Sequence, residues 1–68
     1  MLSTYWLSAK EHCGEVQQQL VEKGFEVADI TSRSRQRGLW ISVRHDADQA
    51  LDVLAIVTRV DPKAALET

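Results

Sequence analysis

The chain has 68 residues with a formal net charge of −2, 44% hydrophobic and 26% charged residues, a composition ordinary for one small globular domain. Its single cysteine, Cys13, excludes an internal disulfide framework, and no apolar run approaches the roughly 18 residues that a membrane span requires. We therefore expect one domain over residues 1–68, without a secretion signal, in the reducing cytoplasm and not at a membrane.

The first predicted element is a short strand over residues 1–7. Its apolar and aromatic run, with little polar interruption, is typical of β structure. The residues that form this run are Leu2, Tyr5, Trp6 and Leu7.

A helix follows the first strand. The segment from Ser8 to Glu11 has capping-box form, with a serine that accepts from a first-turn amide and a glutamate that bonds back. The alternative is a loop here and a helix that starts nearer Cys13. Gly24 is suited to end the helix in the left-handed conformation, with Phe25 folding back onto the last turn. Apolar residues recur at spacings of four, three and four on one helical face: Ala9, Cys13, Val16 and Leu20.

Two strands joined by a polar hairpin are predicted over residues 26–34 and 39–45, and Gly38 is suited to a positive φ in the turn. In the first of them, Ala28 and Ile30 are expected to face the core. In the second, alternation predicts a core face of Leu39, Ile41 and Val43. The opposite face then carries Trp40, Ser42 and Arg44.

The second helix has the clearest signals in the chain. Asp46 and Gln49 have the spacing of a capping box. The helix that follows is apolar over more than half of its circumference, which predicts burial on two sides. Asp61-Pro62 interrupts the chain, and we expect residues 63–68 to form a fraying helical turn.

The order strand, helix, strand, strand, helix predicts a βαββα two-layer α+β domain with both helices on one face of a three-stranded antiparallel sheet. A right-handed crossover leaves room for the third strand between the first two. This is the split βαβ arrangement of ferredoxin-like folds without their usual last strand.

The chain offers few residues for catalysis. The candidates for a nucleophile, a base or a soft metal ligand are the pairs His12-Cys13 and His45-Asp46. Cys13 falls on the apolar helical face, where a free cysteine behaves as a small hydrophobe. Adjacent helical residues diverge by 100°, so His12 and Cys13 do not face a common point. We therefore predict no enzyme activity, no metal site and no cofactor.

The open face of the sheet is more informative. Residues 31–44 contain four arginines and no acidic residue. With Trp40 outward, rings and cations alternate as single-stranded nucleic acid requires, since bases stack on rings and cations hold phosphates. The residues from Arg37 to Val43 resemble the start of the central strand signature of the RNA-recognition motif, although the stacking positions of that family would fall at Leu39 and Ile41. The predicted binding residues are Arg33, Arg35, Arg37, Trp40 and Arg44, with Trp6 and Lys10 on the same face.

A second resemblance covers the residues from Leu39 to Leu51, where an apolar strand with tryptophan runs into an acidic cap and an alanine-bearing helix. This passage resembles small prokaryotic signal-transducing domains of unknown function. The resemblance implies a ferredoxin-like or ACT-like fold and a regulatory role.

The missing last strand predicts an unpaired edge on the first strand, and the second helix has surplus apolar surface. Pairing of this edge with a second copy would satisfy its backbone groups. The function we expect is that of a non-enzymatic regulatory or interaction module, acting as a homodimer or docking on a partner protein; the alternative is nucleic-acid binding by the open sheet face. The predicted interface residues are Tyr5, Trp6, Val53, Ile56 and Val60.

Overall fold

The computed structural model describes residues 1–35 and 38–67, with Arg35 described in its backbone alone. Two helices and four strands are present in this part of the chain. They are β1 (Leu2–Leu7), α1 (Glu11–Glu22), β2 (Ile30–Arg35), β3 (Gly38–Arg44), α2 (Ala50–Val60) and β4 (Ala65–Glu67). The α+β class is confirmed, whereas the prediction of three strands is wrong.

The sheet is antiparallel, and its strand order is β2-β3-β1-β4. The third strand lies between the first two, as predicted. The fourth pairs with β1 through Thr4↔Glu67, Tyr5↔Leu66 and Trp6↔Ala65. The prediction that β1 has an unpaired edge is therefore wrong, because three residues of β4 lie along it.

β4 forms in the segment that the sequence analysis assigned to a helical turn. Asp61 ends α2 in an extended conformation, with φ −132° and ψ 92°. Its carbonyl then accepts a hydrogen bond from the Ala64 N–H at 2.9 Å, which closes a tight turn. The chain emerges beside β1, whose backbone groups supply partners, and this pairing overrides a weak local preference.

One hydrophobic layer between the sheet and the helices forms the core. Burying one aliphatic side chain of this kind contributes about 1.5–3 kcal/mol, so this layer is the main source of stability. The strands contribute Tyr5, Leu7, Ile30, Leu39, Ile41 and Val43, and the helices contribute Val16, Leu20, Val53, Ile56 and Val57. The alternation predicted for β3 is confirmed.

The end of α1 agrees with the prediction. Gly24 has a positive φ of 107°. The N–H groups of Gly24 and Phe25 donate to the carbonyls of Val21 and Leu20 at 3.0 and 3.1 Å, which satisfies two carbonyls of the last turn. Phe25 is buried against the core.

The start of α1 differs from the prediction. The helix begins at Glu11, and Lys10 precedes it without a side-chain cap. The hydroxyl of Ser8 donates instead to the Asp61 carboxylate at 2.8 Å. The capping-box prediction at Ser8 is wrong, because the helix begins three residues later and the Ser8 hydroxyl is turned to donate to a carboxylate on a distant segment.

The second helix is capped as predicted but buried on one side only. Asp46 and Gln49 form the capping box, with the Asp46 N–H donating to Gln49 Oε1 at 2.9 Å. A 3₁₀ turn over Ala47–Gln49 leads into α2. Leu51 is 77% exposed and Leu54 39% exposed, so the predicted burial on two sides is wrong.

The start of β2 is also later than predicted. A 3₁₀ turn occupies Val27–Asp29, and the strand begins at Ile30 rather than at residue 26. Ile30 is buried as predicted, whereas Ala28 is exposed in the turn.

Candidate functional site

The face of the sheet that points away from the helices carries two tryptophans. Trp6 of β1 and Trp40 of β3 are direct cross-strand partners, and each is half-buried. Arg33 of β2 is the next partner of Trp40, and Ala65 of β4 is the next partner of Trp6. One row of the face therefore reads arginine, tryptophan, tryptophan, alanine across all four strands. We call this the tryptophan row.

A row of hydroxyl groups lies beside the tryptophan row. Thr31, Ser42, Thr4 and Glu67 are successive cross-strand partners. The hydroxyls of Thr4 and Ser42 are hydrogen-bonded to each other at 2.8 Å. We call this the hydroxyl row; it gives the face polar groups at fixed positions and a carboxylate at its β4 end.

The two rows line a shallow groove of about 590 Å³ on the open face. Its polar side combines one guanidinium, one carboxylate and three hydroxyls, and its apolar side is one indole ring and one leucine. The lining residues are Leu2, Thr4, Thr31, Arg33, Trp40, Ser42 and Glu67.

Gly38 determines where the Trp6 ring lies. A Cβ at position 38 would collide with Nε1 of Trp6 and approach Cδ1 to 3.1 Å. The indole therefore packs directly on the β3 backbone. Gly38 does not have the positive φ that the sequence analysis predicted. The glycine is needed here for close ring packing and not for a turn conformation.

The predicted binding residues occupy different positions. Arg33 and Trp40 lie side by side on the open face, and Arg44 is exposed at the end of β3. The side chain of Arg35 and the whole of Arg37 lie outside the described residues. The described cations of the face are thus Arg33 and Arg44.

The predicted interface residues are mostly internal. Tyr5 is 2% exposed, Val53 0% and Ile56 2%, so these three belong to the core of the single chain. Burial also raises the pKa of the Tyr5 phenol. Val60 is partly buried against the core, and Trp6 alone of the five lies on the open face. An interface through Tyr5, Val53 and Ile56 is excluded because their surfaces are already covered.

Sequence reasoning missed the hydroxyl row and Glu67. Ser42 was placed on the outward face, but its hydrogen bond to Thr4 depends on the β1–β3 register. Glu67 reaches the face only because β4 exists. Period-two alternation in β1 is the signal that could have identified Thr4 as an outward residue.

Asp61 is the polar side chain with the most hydrogen bonds outside the open face among residues 1–34 and 38–67, and it is 1% exposed. Its carboxylate accepts from the Ser8 N–H at 2.6 Å, from the Ser8 hydroxyl at 2.8 Å and from the Lys63 N–H at 3.0 Å. His12 Nδ1 lies 3.0 Å from Oδ2 in a poorly aligned contact. Burial raises the pKa of Asp61, but His12, Ser8 and Lys63 together outweigh burial and lower it to about 2.

This arrangement does not make a nucleophile. Both Ser8 and His12 contact the carboxylate of Asp61, so the imidazole is not placed to take the serine proton. Asp61 instead joins the start of α1 to the turn between α2 and β4. The group is a structural tie that orients β4.

His45 forms a second tie. It is 5% exposed; Nδ1 lies 2.7 Å from the Asp46 carbonyl and Nε2 lies 2.6 Å from the Ser3 hydroxyl. Because a carbonyl only accepts, Nδ1 donates to Asp46, and Nε2 is hydrogen-bonded to the Ser3 hydroxyl. Backbone hydrogen bonds between Met1 and His45, at 2.7 and 2.9 Å, hold the same two segments together. The ring thus fastens β1 to the junction between β3 and α2.

Within residues 1–35 and 38–67, no three His, Cys, Asp or Glu side chains cluster as ligands for a metal ion. In the same part of the chain, neither helix is long and apolar enough to cross a bilayer. No protein-family model and no curated protein matches the chain.

Proposed function

We propose that this chain is a small non-enzymatic interaction module of the cytoplasm, with a regulatory role, and that it binds a protein partner through the open face of its sheet. The observation that carries the proposal is the pairing of Trp6 with Trp40 on the face opposite the helices.

Tryptophan is a costly side chain to leave in water, because its large ring favours burial. Hot-spot residues contribute most of the binding free energy of protein interfaces, and they are enriched in tryptophan and arginine. Two half-buried indoles side by side form an anchor of this kind. Arg33 stands at the edge of this anchor, beside Trp40. The hydroxyl row supplies hydrogen-bonding groups that fix the orientation of a partner.

Nucleic-acid binding is the second candidate, and the neighbouring positions of Arg33 and Trp40 favour it. An indole offers a stacking surface to a base, and a guanidinium beside it can hold a phosphate. The carboxylate of Glu67 on the same face works against a polyanion. The protein partner is therefore the preferred reading of the face.

Affinity capture with the tagged wild-type chain, Trp40→Ala and Leu51→Ala tests the proposal. Leu51 is an exposed helix residue away from the sheet and serves as the matched control. We expect partners to be retained by the wild type and by Leu51→Ala and to be lost by Trp40→Ala. Each partner is then purified and titrated directly, where removing an anchor of this kind should weaken binding by about 30-fold or more.

Thermal unfolding of the same proteins separates recognition from stability. Trp40→Ala should remain folded and cost well under the roughly 3–5 kcal/mol of a core aromatic truncation, since the ring does not lie in the core. Equal affinity of wild type and Trp40→Ala for every purified protein partner would contradict the proposal.

A further inference from the structure

We infer that the open face binds a second copy of this chain, with the two sheets packed face to face about a two-fold axis parallel to the strands. The inference rests on the proposed interaction function and names its partner. It replaces the edge-to-edge dimer predicted from the sequence, because β4 occupies the β1 edge.

Two charges of the face, Arg33 and Glu67, lie at opposite margins, while Arg44 is on the inner strand β3 beside Leu2. Arg33 is on β2, the first strand of the sheet order, and Glu67 is on β4, the last. A face with a cation at one margin and a carboxylate at the other is complementary to itself when the margins are exchanged. An isologous two-fold contact makes this exchange if the axis has the correct direction.

Two directions of the axis are available for sheets packed face to face. An axis perpendicular to the strands would place β2 over β2 and β4 over β4, so that Arg33 would have no carboxylate of the second copy opposite it. An axis parallel to the strands places β2 over β4. Arg33 then lies opposite Ala65, one row from the Glu67 carboxylate, within the reach of its long side chain. The attraction between Arg33 and Glu67 thus favours the parallel axis.

The same axis superimposes the tryptophan rows. With the axis between β3 and β1, Trp40 of one copy lies over Trp6 of the other, and the contact occurs twice by symmetry. Aromatic pairs in offset or edge-to-face contact contribute beyond the area that they bury. The hydroxyls of Thr4 and Ser42 are likewise brought opposite one another.

The area suits a reversible dimer. At about 4.8 Å between strands and 3.3 Å per residue, three strands of six or seven residues and one of three have a footprint of roughly 350 Å². The relief of the side chains raises the accessible area buried in both copies toward the lower limit of stable interfaces, about 1,200 Å². We therefore expect dissociation in the micromolar range rather than the nanomolar range.

Sedimentation equilibrium of the purified chain from micromolar to millimolar concentration tests the inference. The single reversals Arg33→Glu and Glu67→Arg should each weaken the dimer by tenfold or more. The double reversal should restore it to within threefold of the wild type, because the opposite charges again meet across the axis. Arg59→Glu and Glu22→Arg, on exposed helix positions, are the matched charge controls and should leave the dissociation constant unchanged.

The face-to-face arrangement is overturned if neither single reversal changes the dissociation constant of the dimer, or if the double reversal does not restore it. Either result leaves the proposed interaction function in place. A monomer at millimolar concentration overturns the homodimer, and the affinity capture described above then decides the proposed function separately. A third outcome is a monomer whose tryptophan fluorescence is quenched by a single-stranded oligonucleotide, with no such quenching in Trp40→Ala. This outcome overturns both the homodimer and the protein-partner proposal in favour of nucleic-acid binding.

Discussion

At the scale of single residues, Gly38 shows how a residue without a side chain determines the shape of a recognition surface. The Trp6 indole lies on the backbone of residue 38, where any β-carbon would strike Nε1. The ring cannot move inward, because the backbone of β3 lies directly beneath it. A larger residue at 38 therefore lifts Trp6 away from the sheet and changes the anchor.

We predict that Gly38→Ala destabilises the fold by roughly 1–3 kcal/mol, as overpacking usually does, and changes the tryptophan emission maximum. Gly14→Ala is the control, because position 14 is helical and open, with nothing within 4 Å of the added carbon. It should stabilise the protein by about 0.5–1 kcal/mol. Urea unfolding followed by fluorescence measures both, and equal midpoints for the two variants would refute the packing argument.

Asp61 gives the fold a defined acid sensitivity. Its pKa is lowered from 3.8 to about 2 in the folded chain, so folding favours the ionised carboxylate. The resulting stability, about 2 kcal/mol by linkage, is complete above pH 3.8 and is lost as the pH falls toward 2.

We predict that Asp61→Asn lowers the free energy of unfolding by about 1–3 kcal/mol at pH 7, since the amide cannot replace the charged acceptor for all its donors. The difference from wild type should shrink as the pH falls from 4 to 2. Asp52→Asn, at an exposed position of α2, is the control for the loss of one carboxylate and should change the stability at pH 7 by less than about 0.5 kcal/mol. If the difference in unfolding free energy between wild type and Asp61→Asn stays constant from pH 4 to pH 2, Asp61 is not the source of the acid sensitivity.

At the scale of elements, β4 changes the status of β1 from an edge to an interior strand. Thr4 pairs with Ser42 on one side and with Glu67 on the other. Backbone groups of an interior strand are committed to the ladder on both sides, and proline is found there very rarely.

We predict that Thr4→Pro abolishes the cooperative unfolding transition, because a domain of this length has only about 3–10 kcal/mol of total stability. Thr4→Ala is the control; it loses the 2.8 Å hydrogen bond to Ser42 but keeps the backbone ladder, and should cost about 1 kcal/mol. Calorimetry compares the two. A folded Thr4→Pro monomer would show that β4 does not pair with β1 in solution.

At the scale of the whole molecule, the charge layout distinguishes the two candidate partners. Three phosphate contacts to single-stranded nucleic acid would give a slope of roughly −2 in log affinity against log salt. The affinity of a dimer formed by the aromatic face should depend much less on salt. Salt screens only its two symmetric arginine–glutamate pairs, whereas its central contact is apolar.

We predict that raising sodium chloride from about 50 to about 500 mM weakens the dimer by less than about tenfold, whereas binding to nucleic acid would fall by about 100-fold. Sedimentation equilibrium and fluorescence titration with an oligonucleotide measure the two dependences. A hundredfold loss of dimer would indicate that charge, rather than the tryptophan row, holds the copies together.

Much of the fold was readable from local patterns. The β3 face, the Gly24 terminator and the Asp46–Gln49 cap depend on residues a few positions apart, so short-range sterics and hydrogen bonding specify them. The position of Trp40 on the outer face followed from the same alternation. Of the candidate site, Arg33, Trp40 and Trp6 were therefore found in advance.

The remaining features needed the tertiary structure, because each joins segments far apart in sequence. Whether residues 65–67 form a strand depends on the β1 edge, and whether Ser8 caps α1 depends on Asp61, 53 positions away. The hydroxyl row and Glu67 follow from the strand register and from β4. By itself, the sequence determined which face each residue of the clear elements occupies, since that is a matter of local period. The tertiary structure alone decided which edges are paired and which polar groups meet, since long-range pairing outweighs weak local preference.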